Sequence, residues 1–291
     1  MEITAGLVKK LRDKTDAPMM ECKRALEQAL QEQGDSATEE TLMTRAHEIL
    51  REVGKVAAVK RSDRTTTNGT VAVSRKDNTA VAVALLCETD FVARNEDFIA
   101  LAQTIADYFA ENEIPSDPLT ANVGGKTVKE LIDEAVGKIR ENIQLGSVKR
   151  ITGDGVVGTY LHHDKAKAAL VLVSGGNGNA QDIANKIGIQ IVALSPEYIS
   201  KEQIDSTRLQ QEIEIEKQRA IEEGKPPEIA EKIAQGKVSK DFLQQVVLLE
   251  QPWYAQLNKK VNEVLQEVGG NISVKKIVRI EAGKEPVESS V

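Results

Sequence analysis

The chain opens with apolar residues at helical intervals. Ile3, Leu7, Val8 and Leu11 recur every three or four positions around Thr4, whose hydroxyl suits the N-cap of a first helix. Met19, Cys22, Leu26 and Ala29 mark a second helix, with Pro18 suited to its first turn and Gly34 to its stop. If Met19 lies on that buried stripe, Met20 turns about a hundred degrees away and is partly exposed. Ser36 followed by Glu39 reads as a capping box for a third helix carrying Leu42, Ala46, Ile49 or Leu50, and Val53. The polar run from Arg61 to Gly69 ends this pattern and reads as a linker.

A period of two follows. Thr70 to Ser74 and Thr79 to Leu86 flank Lys76-Asp77-Asn78 as a hairpin, and in the second strand valines and a leucine alternate with alanines. Asn95 caps the next helix, with Glu96 and Asp97 in its positive first turn and Phe98, Leu101, Ala102, Ile105, Tyr108 and Phe109 on one face. After a loop from Ile114 to Gly125, a helix over Val128 to Asn142 presents Leu131, Ile132, Ala135, Val136 and Ile139. The pattern then recurs: Val156 to His162, a turn at His163-Asp164-Lys165, Lys167 to Ser174, and a helix from Ala180. Two strand–strand–helix units in tandem predict a duplicated α+β core with antiparallel sheets.

From Pro196 to Gly236 the chain is charged and helical, broken by Gly224-Lys225-Pro226-Pro227 into two helices that fold back on each other without a clean heptad. Strand-like Val246 to Leu249, a helix over Asn258 to Val268 and a strand over Ile272 to Glu281 follow, before a short polar end from Lys284 to Val291.

Composition narrows the function classes. With 41% hydrophobic but only 3% aromatic residues, aliphatic side chains must fill the cores. A net charge of −7 argues against a large nonspecific nucleic-acid footprint, although Lys55, Lys60, Arg61 and Arg64 form a local basic run. Cys22 and Cys87 are too far apart to read as a disulfide framework or a metal motif, and His47, His162 and His163 build no histidine-rich site. No apolar run reaches membrane-spanning length and no signal-peptide core is present, so the expectation is a soluble cytoplasmic protein without cofactor or metal. No nucleophile–base set stands out. Gly125-Lys126-Thr127 lacks the earlier P-loop glycine, and Gly175-Gly176-Asn177-Gly178 lacks the third glycine of a dinucleotide fingerprint, where Gln181 stands.

One stretch is different in kind. Cys87-Glu88-Thr89-Asp90-Phe91-Val92-Ala93-Arg94-Asn95 places an aromatic beside an acid where a strand hands over to a helix, a position from which a rigid scaffold presents a side chain. The residues alone leave two readings: a presented ring, or a capped turn with Phe91 in the core. The nonapeptide resembles the signature of bacterial elongation factor Ts, the guanine-nucleotide exchange factor of the GTPase EF-Tu. Ile3 to Arg12, Met19 to Leu26, Lys138 to Ile143, Gly158 to His162 and Val247 to Pro252 are similar to further blocks of that family, in the same order.

The resemblance implies an N-terminal three-helix UBA-like bundle (1–62), a core of two subdomains (63–147; 148–195 with 237–283), an inserted antiparallel coiled-coil hairpin (196–236) and a short C-terminal tail (284–291). It implies a factor that binds EF-Tu·GDP and releases GDP by disturbing the magnesium and phosphate pocket, with no covalent chemistry. Thr89, Asp90, Phe91 and Val92 would reach that pocket, and Met19, Met20, Ile139 and His162 would make other EF-Tu contacts. A 2:2 assembly or a homodimer through the core or the coiled coil is compatible with this. Arg140 replaces a usual family glycine, the segment 31–46 is longer than the family pattern, and the tail is shorter. Two rival readings remain: a small-ligand or nucleotide-binding enzyme using the Gly175–Gly178 loop, and a scaffold using the helical arm.

Overall fold

The computed structural model describes residues 2–176 and 178–291. In chain order its elements are α1 (Ala5–Thr15), α2 (Met19–Gln33), α3 (Glu39–Arg61), β1 (Asn68–Lys76), β2 (Thr79–Cys87), α4 (Asp90–Ala93), α5 (Glu96–Glu111), β3 (Asn122–Val123), β4 (Lys126–Thr127) and α6 (Val128–Ile139). There follow β5 (Gln144–Thr152), β6 (Val156–Leu161), β7 (Lys167–Ser174), α7 (Ala180–Leu194), α8 (Ser206–Glu222), α9 (Pro227–Lys237), α10 (Leu243–Val246), β8 (Pro252–Trp253), β9 (Gln256–Lys260), α11 (Val261–Val268), β10 (Ser273–Glu281) and β11 (Val287–Ser290). The class is α+β, and every strand pair is antiparallel.

The first three helices enclose a core of Leu7, Val8, Leu11, Leu26, Leu42, Ala46 and Ile49. Thr4 caps α1, its Oγ1 accepting from the Leu7 N–H at 3.3 Å. The cap of α3 lies two residues past the expected one. Thr38 and Thr41 satisfy each other's backbone N–H groups, at 3.0 and 3.2 Å, while Ser36 sits in the preceding turn and donates to the Gln33 carbonyl. The helix also runs farther than its first apolar stripe, ending at Arg61, and Val53 is exposed rather than on the buried stripe. Beyond Ile49 the helix leaves the bundle and turns Arg51 and Gly54 toward α6. There Gly54 and Gly137 meet so closely that a Cβ on Gly137 would lie 3.2 Å from the Gly54 Cα.

Two sheets form the centre, in the orders β1-β2-β5 and β11-β10-β7-β6. In each, a hairpin is followed by helices and then by a third strand that pairs with the hairpin's second strand. The alternation along β2 is explained by this arrangement. Val81, Val83 and Leu85 face α5 and α6 with Phe98, Ile105 and Phe109, whereas Ala80, Ala82 and Ala84 face the other sheet with Leu170, Leu172, Val278 and Ile280. On the far side, α7 and α11 cover Val171, Val173 and Ile277. β5, which ends beside β2 in the first sheet, was not anticipated as a strand.

α8 and α9 pack against each other through Ala220, Ala230 and Ala234, all buried, and are tied by Lys217–Glu231 (3.1 Å) and Lys237–Glu216 (3.2 Å). A π-helical turn over Val238–Phe242 joins α9 to α10. Two further expectations are corrected. Val246 to Leu249 is a helix end and a 3-10 turn, with only Val247 bridging to Tyr198. Residues 258–260 belong to β9, so the last helix starts at Val261. The short polar C-terminal end is held to the second sheet: β11 pairs with β10, and Lys149 (2.6 Å) and Lys276 (3.5 Å) hold Glu288.

The block Val247 to Pro252 has a structural task. Gln251 is fully buried, donating from Nε2 to the carbonyls of Leu194 and Gln245 and accepting at Oε1 from Gln190, also fully buried. Gln251→Leu removes an acceptor and two bonds to carbonyls, so it is expected to destabilise the fold by about 1–3 kcal/mol, measurable as a lower urea midpoint.

Candidate functional site

β2 is the central strand of the first sheet, hydrogen-bonded on both sides, and it delivers the chain to the corner at Cys87. Thr89 is extended and caps α4, accepting from the Val92 N–H at 3.4 Å. Val92 and Ala93 pack against the first core. Since successive helical residues turn by about 100°, seating these two leaves Phe91 facing outward. Its ring is 83% exposed, so the reading that places it in the core is excluded.

The exposed ring stands on a corner tied at several points. The Glu141 carboxylate accepts from the Thr89 hydroxyl (2.6 Å) and from the backbone N–H groups of Glu88 and Thr89 (both 3.0 Å). In return the Asn142 N–H donates to Glu88 Oε1 at 2.6 Å. Asn142 is itself buried and donates from Nδ2 to the carbonyls of Arg64 (2.6 Å) and Ser62 (3.3 Å), just past the end of α3. Asp90 is exposed and lies 3.4 Å from Arg94, an arrangement of little energetic consequence in water.

Met19 and Met20 open α2 and are 43% and 57% exposed. Met19 is therefore not on the buried stripe; Cys22, Ala25, Leu26 and Ala29 form it, and both methionines precede the first buried turn. Glu21 beside them is paired with Arg140, and Asp16 lies 3.5 Å from Lys138. Ile139 is half-buried against the first core. Arg140 closes α6 at φ 68°, in the left-handed region a glycine would favour. Ion pairs from Lys138 and Arg140 thus reach Asp16 and Glu21 on either side of the methionines, while Glu141 and the buried Asn142 hold the Phe91 corner. His162 stands apart from it on the second sheet, at the β6–β7 turn, with Nδ1 3.0 Å from the Tyr160 hydroxyl.

Glu141 and Asn142, which hold the corner, are not among the residues the sequence singles out. They lie in the block from Lys138 to Ile143, but nothing local in that block indicates that their partners are Glu88 and Thr89, more than 50 residues earlier.

The rival loops are otherwise engaged. Gly176 donates its N–H to the Gly270 carbonyl at 2.6 Å, so that donor is not free for a phosphate, and Gly175 is glycine because a Cβ there would strike the Asn271 carbonyl at 2.3 Å. Asn177 of that loop lies outside the described residues. Gly125-Lys126-Thr127 is the end of the β3–β4 turn and the N-cap of α6: Lys126 pairs with Glu134 and Thr127 forms a capping box with Glu130. Among the described residues no cluster suits a metal ion and no helix is long and apolar enough to cross a membrane.

Burial pushes the Cys87 thiol up to about 12, with the Glu141 carboxylate adding to the effect, and burial raises Cys22 as well. Both thiols are expected to stay unlabelled by a thiol reagent at pH 8 in the folded chain and to react in denaturant, checked by counting adducts in the two conditions.

A family model described as Elongation factor TS matches residues 88–284. The chain is 37% identical to the Elongation factor Ts of Chloroherpeton thalassium over 282 residues, covering 94% of each. It is 37% identical to that of Aquifex aeolicus over 298 residues, covering 97% of this chain and 99% of the relative. With Levilactobacillus brevis the identity is 36% over 297 residues, covering 100% and 95%. With that model matching more than half of the chain and relatives above 30% identity matched over nearly the full length of both chains, the chain belongs to the elongation factor Ts family.

Proposed function

We propose that the chain is a guanine-nucleotide exchange factor that binds the GTPase EF-Tu in its GDP form and speeds GDP release, so that GTP can rebind. The observation that carries this reading is a phenylalanine ring 83% exposed on a clamped strand-to-helix corner. Leaving so large an apolar group in water is unfavourable by itself, and a pre-shaped anchor is what a partner surface uses.

The mechanism is linkage. A protein that binds the nucleotide-free GTPase more tightly than the filled one weakens nucleotide binding by the same factor. Phe91 enters the G domain near the magnesium and phosphate pocket, with Thr89, Asp90 and Val92 shaping the contact and Asp90 either holding the loop or engaging displaced partner groups. Met19 and Met20, which adapt well to a partner surface, add a second contact from a UBA-like bundle, and Ile139 and His162 add others. On this reading the chain divides at 62/63 and 147/148. The α8–α9 arm is a coiled-coil insertion (196–236), residues 284–291 are the C-terminal segment, and the protein works in the cytoplasm without a cofactor.

Stopped-flow release of a fluorescent GDP analogue from EF-Tu tests this. Substoichiometric chain is expected to accelerate release with multiple turnovers; an unchanged rate rejects the proposal. Binding of GDP by the chain alone would instead support the small-ligand alternative.

A further inference from the structure

We propose that Glu141 is a positioning residue for the Phe91 corner, a role that rests on the exchange reading and adds a residue to it. α4 has only four residues, too few to hold a helical turn by its own hydrogen bonds. Its own bonds are few, the Thr89 hydroxyl accepting from Val92 and the Thr89 carbonyl from Ala93, and the rest of its hold is external. One carboxylate takes two backbone N–H groups and a hydroxyl from Glu88 and Thr89, immediately before the ring. No neutral side chain of that size supplies acceptors on both oxygens, and glutamine offers only one.

The clamp has a second consequence. Asn142, the next residue, ties Glu88 to Ser62 and Arg64 at the end of α3, while Arg140, the residue before, pairs with Glu21 beside Met19 and Met20. Glu141 and Asn142 therefore fix the corner on the core, and the half-exposed Arg140–Glu21 pair adds a link toward the methionines that contributes little by itself. A two-point contact held in the bound geometry before encounter avoids the ordering cost of assembling it on the partner. Glu141 touches no partner group in this scheme. It acts through the placement of Phe91.

The test is a double-mutant cycle on GDP release from EF-Tu, using full-length chain. Glu141→Ala is expected to lower kcat/KM about tenfold to a hundredfold, mostly in kcat, because the other proposed partner contacts, Met19 and Met20 among them, are left in place. Glu141→Gln, which keeps the shape and one acceptor, should fall between it and the wild type. In a Phe91→Ala background both are expected to cause no further loss, since there is no ring left to position. Amide hydrogen exchange should rise at Glu88 and Thr89.

An equal loss in both backgrounds would assign Glu141 to general stability and overturn the role, as would full activity of both variants. If Glu141→Ala does not fold, the same cycle run with Glu141→Gln decides the matter. A wild-type chain that fails to accelerate release rejects the exchange reading and this role with it. A working wild type beside equally working Glu141 variants rejects the role alone.

Discussion

Phe91→Ala is expected to lower the acceleration of GDP release from EF-Tu by roughly 30-fold to 1000-fold, equivalent to about 2–4 kcal/mol, the range of an interfacial hot spot. Its expected effect on folding is within about 0.5 kcal/mol, because the ring is 83% exposed and its removal leaves no cavity. This pairing of a large functional loss with unchanged stability distinguishes an anchor from a core residue. Val92, one position on, is half-buried and packs against the first core, so Val92→Ala should lower stability as well as exchange. The measurements are the stopped-flow rate at a fixed chain concentration and the urea midpoint of the same preparations. A Phe91→Ala chain that exchanges as fast as the wild type would remove the ring from the mechanism.

Gly158→Ala is expected to destabilise the fold by about 3 kcal/mol or more, the upper range for overpacking a tight contact. Gly158 lies in β6 where α7 crosses. A Cβ there would fall 2.4 Å from the Ala184 carbonyl carbon and 2.5 Å from its Cβ, and the obstruction is largely backbone, which cannot swing aside as a long side chain can. Tyr160 makes the reciprocal contact two residues on, its Cβ 2.9 Å from where a Cβ on Gly188 would stand. The strand and helix approach through two glycines, one on each element, and relief at one site is blocked by the other. Gly236→Ala is the contrasting case. A Cβ there meets nothing within 4 Å, and because the helical run continues from α9 into the π-helical turn, alanine is favoured over glycine there by up to about 1 kcal/mol. Urea unfolding of the two variants should therefore move in opposite directions, and a Gly158→Ala chain as stable as the wild type would contradict the packing described for α7.

The features legible in the chain were those written in short periods. The spacing of Leu7, Leu11, Leu26 and Leu42, the caps at Thr4 and Asn95, and the two hairpins follow from contacts within a few residues. The failures share a cause. Val53 continues the apolar period of α3 but is exposed, since the bundle core ends at Ile49 and the helix then serves α6 with a different face. Val246 to Leu249 has strand composition yet lies at the end of a helix, where its backbone groups find Tyr198 and Ile199 instead of a ladder. β5 carries Gly146, Lys149 and Arg150 and has little apolar alternation. It is a strand because β2 offers it an open edge.

For the candidate site, the local chemistry of Thr89 to Val92 already contained the corner: a capping hydroxyl, an acid in the first turn, and an aromatic next to a residue that packs. Whether the aromatic or its neighbour goes inward cannot be read from four residues. That choice is made by the first core, which accepts Val92 and Ala93, and by Glu141, which holds the corner in that orientation. The sequence by itself determined the helices of the bundle, the hairpins and the alternation of β2, because these depend on periodicity and nearest-neighbour hydrogen bonds. The tertiary structure alone decided that Phe91 faces water, that Glu21 beside the methionines pairs with Arg140, and that the last residues close an edge of the second sheet. Those outcomes rest on hydrogen bonds and packing between segments far apart in the chain, and local spacing carries no information about which distant partner will be there.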